Sequence, residues 1–262
     1  MKPCTFFHFG LIVTGEGERN HLPLLFRELA ASGYCHFEVI RKIDQRSPIT
    51  SKKRRLKVVG SKGLVPTRDA EQIGLPSRKY LDEKPCSLVL LIDDLEYKRR
   101  DKAPAIFDRY RKALDSVLND SQKRRVAVHF LVNMLEAYFF AHPQAVNDVL
   151  DCSPPLEECK DDVEKMRHPK GELKRRCKNY SETKTIAQIL SRLDVPHILS
   201  RLDACASLRT MFVWCVCKME EYAEPSSFIY ITKLRNHFHL DDGVLHPITS
   251  HQCDEQSSYD EP

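Results

Sequence analysis

The sequence lacks the motifs that identify several large enzyme classes. It has no GxxxxGK followed by Ser or Thr, which excludes a P-loop nucleotide site. It has no GxSxG, which argues against the serine nucleophile of an α/β-hydrolase. It has no HExxH, and the paired HxE and PCxxC of the zinc deaminases are missing. No apolar stretch approaches the roughly 18 residues of a membrane-spanning helix, so we expect a cytoplasmic protein with no membrane partner.

Cysteine pairs of the kind that bind zinc are also missing. The chain has ten cysteines, and no CxxC is found among them. The two closest are Cys215 and Cys217, whereas zinc ligands usually come in pairs roughly two to four residues apart. We therefore expect no zinc site, and we expect all the thiols to be reduced, as is usual in the cytosol.

Positive charge, by contrast, is abundant and grouped. The net charge is +4, although the last twelve residues carry only acidic charges. Runs of Lys and Arg begin at Lys52, Lys98, Lys123 and Lys174. Any one run is typical of a solvated surface, but several runs together favour a polyphosphate partner such as nucleic acid.

The order of predicted strands and helices indicates an α/β protein. Apolar or alternating segments predict strands at residues 6–14, 37–40, 87–92 and 125–132. Helical patterns lie between them, one of which has Leu22, Leu25, Phe26 and Leu29 on a single face. Strands that alternate with helices favour a mostly parallel sheet.

The second half of the chain has a different pattern. Helices are predicted at residues 183–193, 196–204 and 208–222, and no strand is predicted after residue 150. We therefore expect an α/β core at 1–150, a helical region packed on it at 151–250, and an acidic disordered tail at 251–262.

Acidic residues follow three of the predicted strands. Glu16 and Glu18 come after the first, and Glu136 begins the helix after the fourth. Asp93, Asp94 and Glu96 come after the third. The carboxyl ends of parallel strands meet at one edge of a sheet, where ligands usually bind. Each group alone is also consistent with helix capping or an ion pair; together they predict a composite site for Mg²⁺ or Mn²⁺.

These segments resemble the Toprim fold of topoisomerases, primases and overcoming-lysogenisation-defect nucleases. More closely, they resemble an uncharacterised Toprim-like family of bacterial and phage-defence gene clusters. The resemblance rests on the order of five short segments, at residues 14–18, 93–96, 135–137, 168–173 and 180–185. It implies a Toprim-like, Rossmann-type core followed by a helical part.

The resemblance also implies a function, namely a metal-dependent nuclease (a hydrolase) of antiviral defence. Catalytic residues would then be Glu16, Glu18, Asp94 and Glu136, and metal ligands would be Glu16, Asp93, Asp94 and Glu96. Nucleic acid, DNA rather than RNA, would contact Lys52, Lys53, Arg54, Arg55, Lys98, Arg99, Lys170 and Lys184. An ABC- or SMC-like ATPase encoded nearby is the protein partner that the resemblance implies.

The chain departs from the Toprim pattern at two places. Thr14 occupies the position after the first strand where Toprim enzymes carry a glutamate, and Asp94-x-Glu96 replaces Asp-x-Asp. Two alternatives therefore stay open. One is a non-catalytic subunit that binds nucleic acid or the ATPase through a degenerate site, and the other is a toxin-like effector released by a trigger.

Overall fold

The structure is a computed structural model that describes residues 3–47, 67–133 and 135–248. Its centre is one sheet of four parallel strands in the order β2-β1-β3-β4. Their bounds are β1 Phe7–Val13, β2 Cys35–Lys42, β3 Ser87–Leu95 and β4 Val126–Val132. The prediction of an α/β fold with a parallel sheet and a helical C-terminal part is thus confirmed.

Eleven helices are described around the sheet. In chain order they are α1 Glu16–His21, α2 Arg27–Ala31, α3 Leu75–Glu83, α4 Ala103–Asp115, α5 Asp120–Lys123, α6 Gln144–Asn147, α7 Pro169–Arg176, α8 Ile186–Leu190, α9 Val195–Leu199, α10 Ala206–Tyr222 and α11 Pro225–His237. Short 3-10 helices at Leu22–Phe26, Tyr97–Lys102, Leu135–Phe140 and Val163–Lys165, and a π-helix at Ala70–Gly74, complete the described helical segments.

Each face of the sheet carries its own apolar layer. Alternate residues of β3 point to opposite faces, so that Leu88, Leu90 and Ile92 pack on one side. Val89, Leu91 and Leu95 pack on the other side, against α3 and α4. Because β3 is covered on both faces, all nine of its residues are buried, which explains its continuous apolar run.

Helix α10 belongs to the main core although it lies far from β1 in sequence. The Trp214 ring lies 6.5 Å from the Phe9 ring, and the Phe212 ring lies 5.3 Å from the Phe26 ring. The helical region after residue 150 therefore covers one face of the sheet. Helices α7 and α11 had no counterpart in the sequence-based prediction.

Strand β3 is longer than its apolar run predicts. The prediction ended it at Ile92, whereas the strand continues to Leu95 because Asp93 and Asp94 still pair with Phe130 and Leu131 of β4. The two aspartates are therefore inside the strand, and their side chains leave it on opposite faces. Because of this alternation, the two aspartates have different neighbours.

The prediction that all cysteines are reduced is wrong for four of them. Disulfides join Cys4 to Cys86 and Cys152 to Cys177. Their partners are 82 and 25 residues apart in sequence, and only the fold brings them together. Cys86 directly precedes β3, and the backbone of Cys152 forms an antiparallel bridge with that of Cys177.

In the part of the chain that the structure describes, no helix is long and apolar enough to cross a membrane.

We expect these four cysteines to resist alkylation in denaturant without a reductant. Mass spectrometry of the alkylated, digested protein should find a Cys4–Cys86 and a Cys152–Cys177 cross-linked peptide. Cys35 and Cys215, which are free and buried, provide the control because they should react once the protein is unfolded. Alkylation of all ten cysteines before reduction would contradict the disulfide assignment.

Candidate active site at the strand ends

The sheet has one point where the chain changes direction across it. From β1 the chain moves to β2 on one side, and β3 then lies on the other side of β1. In open parallel sheets, ligands bind beyond the carboxyl ends of the strands at such a point. Here that crevice lies between the ends of β1 and β3, where Thr14 and the two aspartates of β3 are found.

Asp93 is a structural residue at this point. Its carboxylate is fully buried and accepts hydrogen bonds from Thr14 Oγ1 at 3.0 Å and Tyr110 Oη at 3.0 Å. The Arg99 guanidinium donates to both of its oxygens, at 3.3 and 2.9 Å. These donors occupy both oxygens, so the structure does not support the predicted role of Asp93 as a metal ligand.

Thr14 completes this anchor between two strands. Its hydroxyl donates to Asp93 and accepts the backbone N–H of Asp94 at 3.3 Å. The residue that replaces the Toprim glutamate is therefore used to fix the end of β3 beside the end of β1. A glutamate could not form this compact pair of hydrogen bonds.

Asp94 leaves the strand on the other face and has a contrasting environment. It is buried, and its Oδ1 has no hydrogen-bond partner among the described residues. Burial raises the pKa of Asp94 well above its usual value, and the negative charges of Glu18 and Glu136 raise it further. We call Glu18, Asp94 and Glu136 the acidic trio.

Gly15 allows Glu18 to join the acidic trio. A Cβ atom on Gly15 would lie only 1.7 Å from Glu18 Oε2, so no other residue fits while Glu18 keeps this position. Burial raises the pKa of Glu18, and the charge of Glu136 raises it further. The glycine of the first turn thus has a definite task, which is to let the Glu18 carboxylate fold back over the start of α1.

Glu136 is positioned by a tyrosine from a distant segment. It is buried, and its Oε1 accepts a hydrogen bond from Tyr180 Oη at 2.8 Å. Two residues further along, Glu182 forms ion pairs with Lys170 at 2.5 Å and Lys174 at 3.0 Å. Lys170 in turn interacts electrostatically with Glu136 and Asp94. The segments at 168–173 and 180–185 therefore meet beside the acidic trio.

A basic cleft lies next to the acidic trio. Its volume is about 540 Å³, and its cationic lining comes from Lys98, Arg167, Lys170 and Lys174. Glu96 and the N-terminal turn of α7 also line it. The term basic cleft denotes this cleft together with its four cations. Its charge suits a phosphate group, and its size is in the usual range for small-ligand sites.

The other predicted site residues lie elsewhere. Glu16 is exposed and pairs with Lys42 at 2.9 Å, so the structure does not bring it to the acidic trio. Arg99 binds Asp93 and the Arg46 carbonyl, which leaves its guanidinium turned toward the protein. Lys184 is exposed on the surface and does not line the basic cleft. Lys52, Lys53, Arg54 and Arg55 lie outside the described residues.

Several site residues were missed by sequence reasoning. Arg167 and Tyr97 carry no pattern signal, and the spacing of Tyr110 from Ile106 and Ala113 predicts only the apolar face of a helix. Tyr180 and Glu182 did belong to a segment behind the Toprim resemblance, although no role was attached to them. The one available signal was that Glu136, a lone acid in an apolar stretch, required a buried partner.

The acidic trio fits a divalent cation only in part. Within residues 3–47, 67–133 and 135–248, no three His, Cys, Asp or Glu side chains are arranged to hold a metal ion. Mg²⁺, however, is commonly bound by roughly one or two protein carboxylates, with water and substrate phosphates completing its shell. The unpartnered buried oxygen of Asp94 is the kind of atom that a cation would satisfy. Asp94 and Glu18 would therefore fit such an ion only if a substrate and water supplied its remaining ligands.

Opposite effects on stability are expected for the two neighbouring aspartates. Asp93→Asn breaks a buried ion pair with Arg99 and should lower the free energy of unfolding by about 3 kcal/mol. Asp94→Asn removes a buried carboxylate that the charges of Glu18 and Glu136 repel. It should therefore raise the free energy of unfolding by about 1 kcal/mol. Urea unfolding of the two variants and the wild type, in EDTA, measures both changes. Equal destabilisation by the two substitutions would contradict the assignment.

The stabilisation by Asp94→Asn should also depend on pH. The pKa of Asp94 is raised in the folded state, so this group favours folding at low pH. That contribution is lost as the pH rises from about 3.9, the usual pKa of an unfolded aspartate, toward the folded value. The free energy of unfolding of the variant should thus increase relative to that of the wild type as the pH rises. A pH-independent difference between pH 4 and pH 8 would count against a repelled carboxylate at this position.

Comparison with known proteins places the chain in a family but attaches no activity to it. Neither the curated proteins nor the solved structures include a match to this chain. A family described as a domain of unknown function, DUF4276, matches residues 13–212, which include the acidic trio, Tyr180 and Glu182. The chain belongs to the DUF4276 family.

Proposed function

We propose that this protein is a nuclease that uses Mg²⁺ or Mn²⁺ to hydrolyse phosphodiester bonds. The observation that carries the proposal is the placement of the acidic trio beside the basic cleft. One of its members, Asp94, has a buried oxygen without a partner among the described residues. Lys170, one of the cations of the cleft, interacts electrostatically with both Asp94 and Glu136. The Toprim resemblance of the sequence supports the same chemistry.

Each residue of the site has a role in this reaction. Asp94 and Glu18 would hold the metal ion, which supplies a more acidic bound water and stabilises negative charge on the phosphate. Glu136, oriented by Tyr180, accepts the proton of the attacking water. Lys98 and Lys170 bind the phosphate oxygens through charge-assisted hydrogen bonds. The water oxygen forms a new P–O bond, the ester P–O bond breaks, and the leaving oxygen takes up a proton from solvent.

A non-catalytic role is the second candidate, and one observation favours it. Thr14 replaces the glutamate of the Toprim pattern, and its hydroxyl is fully used in fixing Asp93 and the Asp94 backbone. In that case the basic cleft binds nucleic acid without cutting it. The ATPase partner, the role in antiviral defence and the preference for DNA rest on the resemblance and stay predictions. The cytoplasmic location, which rests on the lack of a membrane-spanning apolar stretch in the sequence, also stays a prediction.

Cleavage assays separate these candidates. We expect the purified protein to cut single- or double-stranded oligonucleotides in Mg²⁺ or Mn²⁺ and to be inactive in EDTA. Asp94→Asn should lower the rate by roughly 100-fold or more, because it removes a metal ligand while the fold gains stability. Gel electrophoresis of end-labelled DNA and RNA gives the rates.

A matched pair of glutamate variants provides the control. Glu18→Gln should be as inactive as Asp94→Asn, whereas Glu16→Gln should retain the wild-type rate because Glu16 faces Lys42. Wild-type protein that binds oligonucleotides but never cuts them would select the non-catalytic role. Equal loss in both glutamate variants would show that the acidic trio is wrongly assigned.

A further inference from the structure

Two residues that line the basic cleft have no role in binding a phosphate. They are Tyr97, which follows β3, and Asn133, which follows β4. Both follow the carboxyl ends of their strands, at the same edge of the sheet as the acidic trio, and they line the cleft together with the N-terminal turn of α7. Neither side chain is positively charged, so neither contributes to holding a phosphate by charge.

Tyr97 has the environment of a stacking platform. The residue is 37% exposed although its side chain is large and aromatic. The guanidinium groups of Arg100 and Arg167 lie 5.6 and 5.1 Å from its ring centroid. Aromatic rings and arginine planes in a basic groove are the surfaces on which the bases of single-stranded nucleic acids stack.

Asn133 supplies a fixed hydrogen-bond acceptor. It is 1% exposed, and its Nδ2 donates to the carbonyl oxygens of Glu164, at 2.7 Å, and Met166. These bonds fix the amide plane, and its backbone is in the left-handed region, with φ of 62°. Its Oδ1 is buried and has no partner among the described residues. Buried acceptors are normally paired, so the free oxygen indicates a ligand with a donor group.

A nucleotide carries groups that are complementary to each part of the cleft lining. Its base offers a flat face for Tyr97 and an N–H for Asn133 Oδ1, and its phosphate suits Lys98, Lys170 and Lys174. A phosphate or sugar phosphate without a base would leave Tyr97 and Asn133 unused. In a duplex, the faces of the base are stacked and its Watson–Crick edge is paired, so the nucleotide must be unpaired.

We propose that the basic cleft binds one unpaired nucleotide, with its base stacked on Tyr97 and an N–H of the base donating to Asn133 Oδ1. This inference rests on the proposed function, since it specifies how the same site takes its substrate. The substrate would then be a single-stranded nucleic acid or the frayed end of a duplex. Tyr97 and Asn133 are added to the binding residues.

Binding of labelled oligonucleotides in EDTA tests the proposal without cleavage. The probes are a fluorescein-labelled strand of twelve thymidines, a blunt duplex of mixed sequence, and an abasic strand with the same number of phosphates. We expect the thymidine strand to bind about 10-fold more tightly than the other two. Tyr97→Ala should lose roughly 5-fold or more of that affinity, as loss of a stacked base does, while Tyr97→Phe keeps it. Neither variant should change binding of the abasic strand.

Asn133 is tested through the probe, because its amide also anchors two backbone carbonyls and a variant could misfold. Thymidines methylated at N3 lack the base N–H, and a strand of them should bind more weakly than normal thymidines. Thymidine 5′-monophosphate should compete with the thymidine strand, because the cleft is proposed to take a single nucleotide. Abasic and normal strands that bind equally would overturn the inference, even if the protein cleaves DNA in Mg²⁺. Absence of binding to every oligonucleotide would overturn the proposed function as well.

Discussion

The buried carboxylate of Asp93 fixes the geometry on which the rest of the site depends. It joins the end of β3 to Thr14 after β1, to Tyr110 of α4 and to Arg99 of the following 3-10 helix. A fully buried negative charge is stable only when such donors satisfy it. Because this anchor holds the strand end, the next residue, Asp94, is directed to the opposite face at a defined place. The alternation of a single strand thus separates an aspartate satisfied by four hydrogen bonds from one whose Oδ1 has no partner among the described residues.

The acidic trio has the opposite energetic character. Asp94, Glu18 and Glu136 are crowded, and the pKa of Asp94 is raised by burial and by the other two charges. An arrangement of this kind costs stability in the absence of a ligand, which is typical of active sites. Tyr180 and the network from Glu182 to Lys170 stabilise the arrangement from one side. The basic cleft places positive charge beside these acids, and Lys170 of the cleft interacts electrostatically with Glu136 and Asp94.

Much of the fold could be predicted from the sequence, because buried parallel strands and helix faces leave strong patterns. The four strands, the buried stripe from Leu22 to Leu29 and helix α10 were found in this way. The end of β3 was misplaced because pairing with β4, and not hydrophobicity, extends it over Asp93 and Asp94. The disulfides were missed because only tertiary structure brings Cys4 beside Cys86. The site was predicted as a group of acids, yet their directions and the partners Tyr110 and Tyr180 depend on packing that spacing does not reveal.

The central proposal is that Asp94, and not Asp93, binds a divalent cation. Electron paramagnetic resonance of Mn²⁺, titrated into the protein between pH 5 and pH 8, tests it most directly. A proton competes with the metal ion for a carboxylate of raised pKa, so the account predicts that Mn²⁺ binds more weakly as the pH falls. It also predicts that Asp94→Asn abolishes binding, while Glu16→Gln binds as the wild type does. Binding that is independent of pH, or unchanged in Asp94→Asn, would contradict the account.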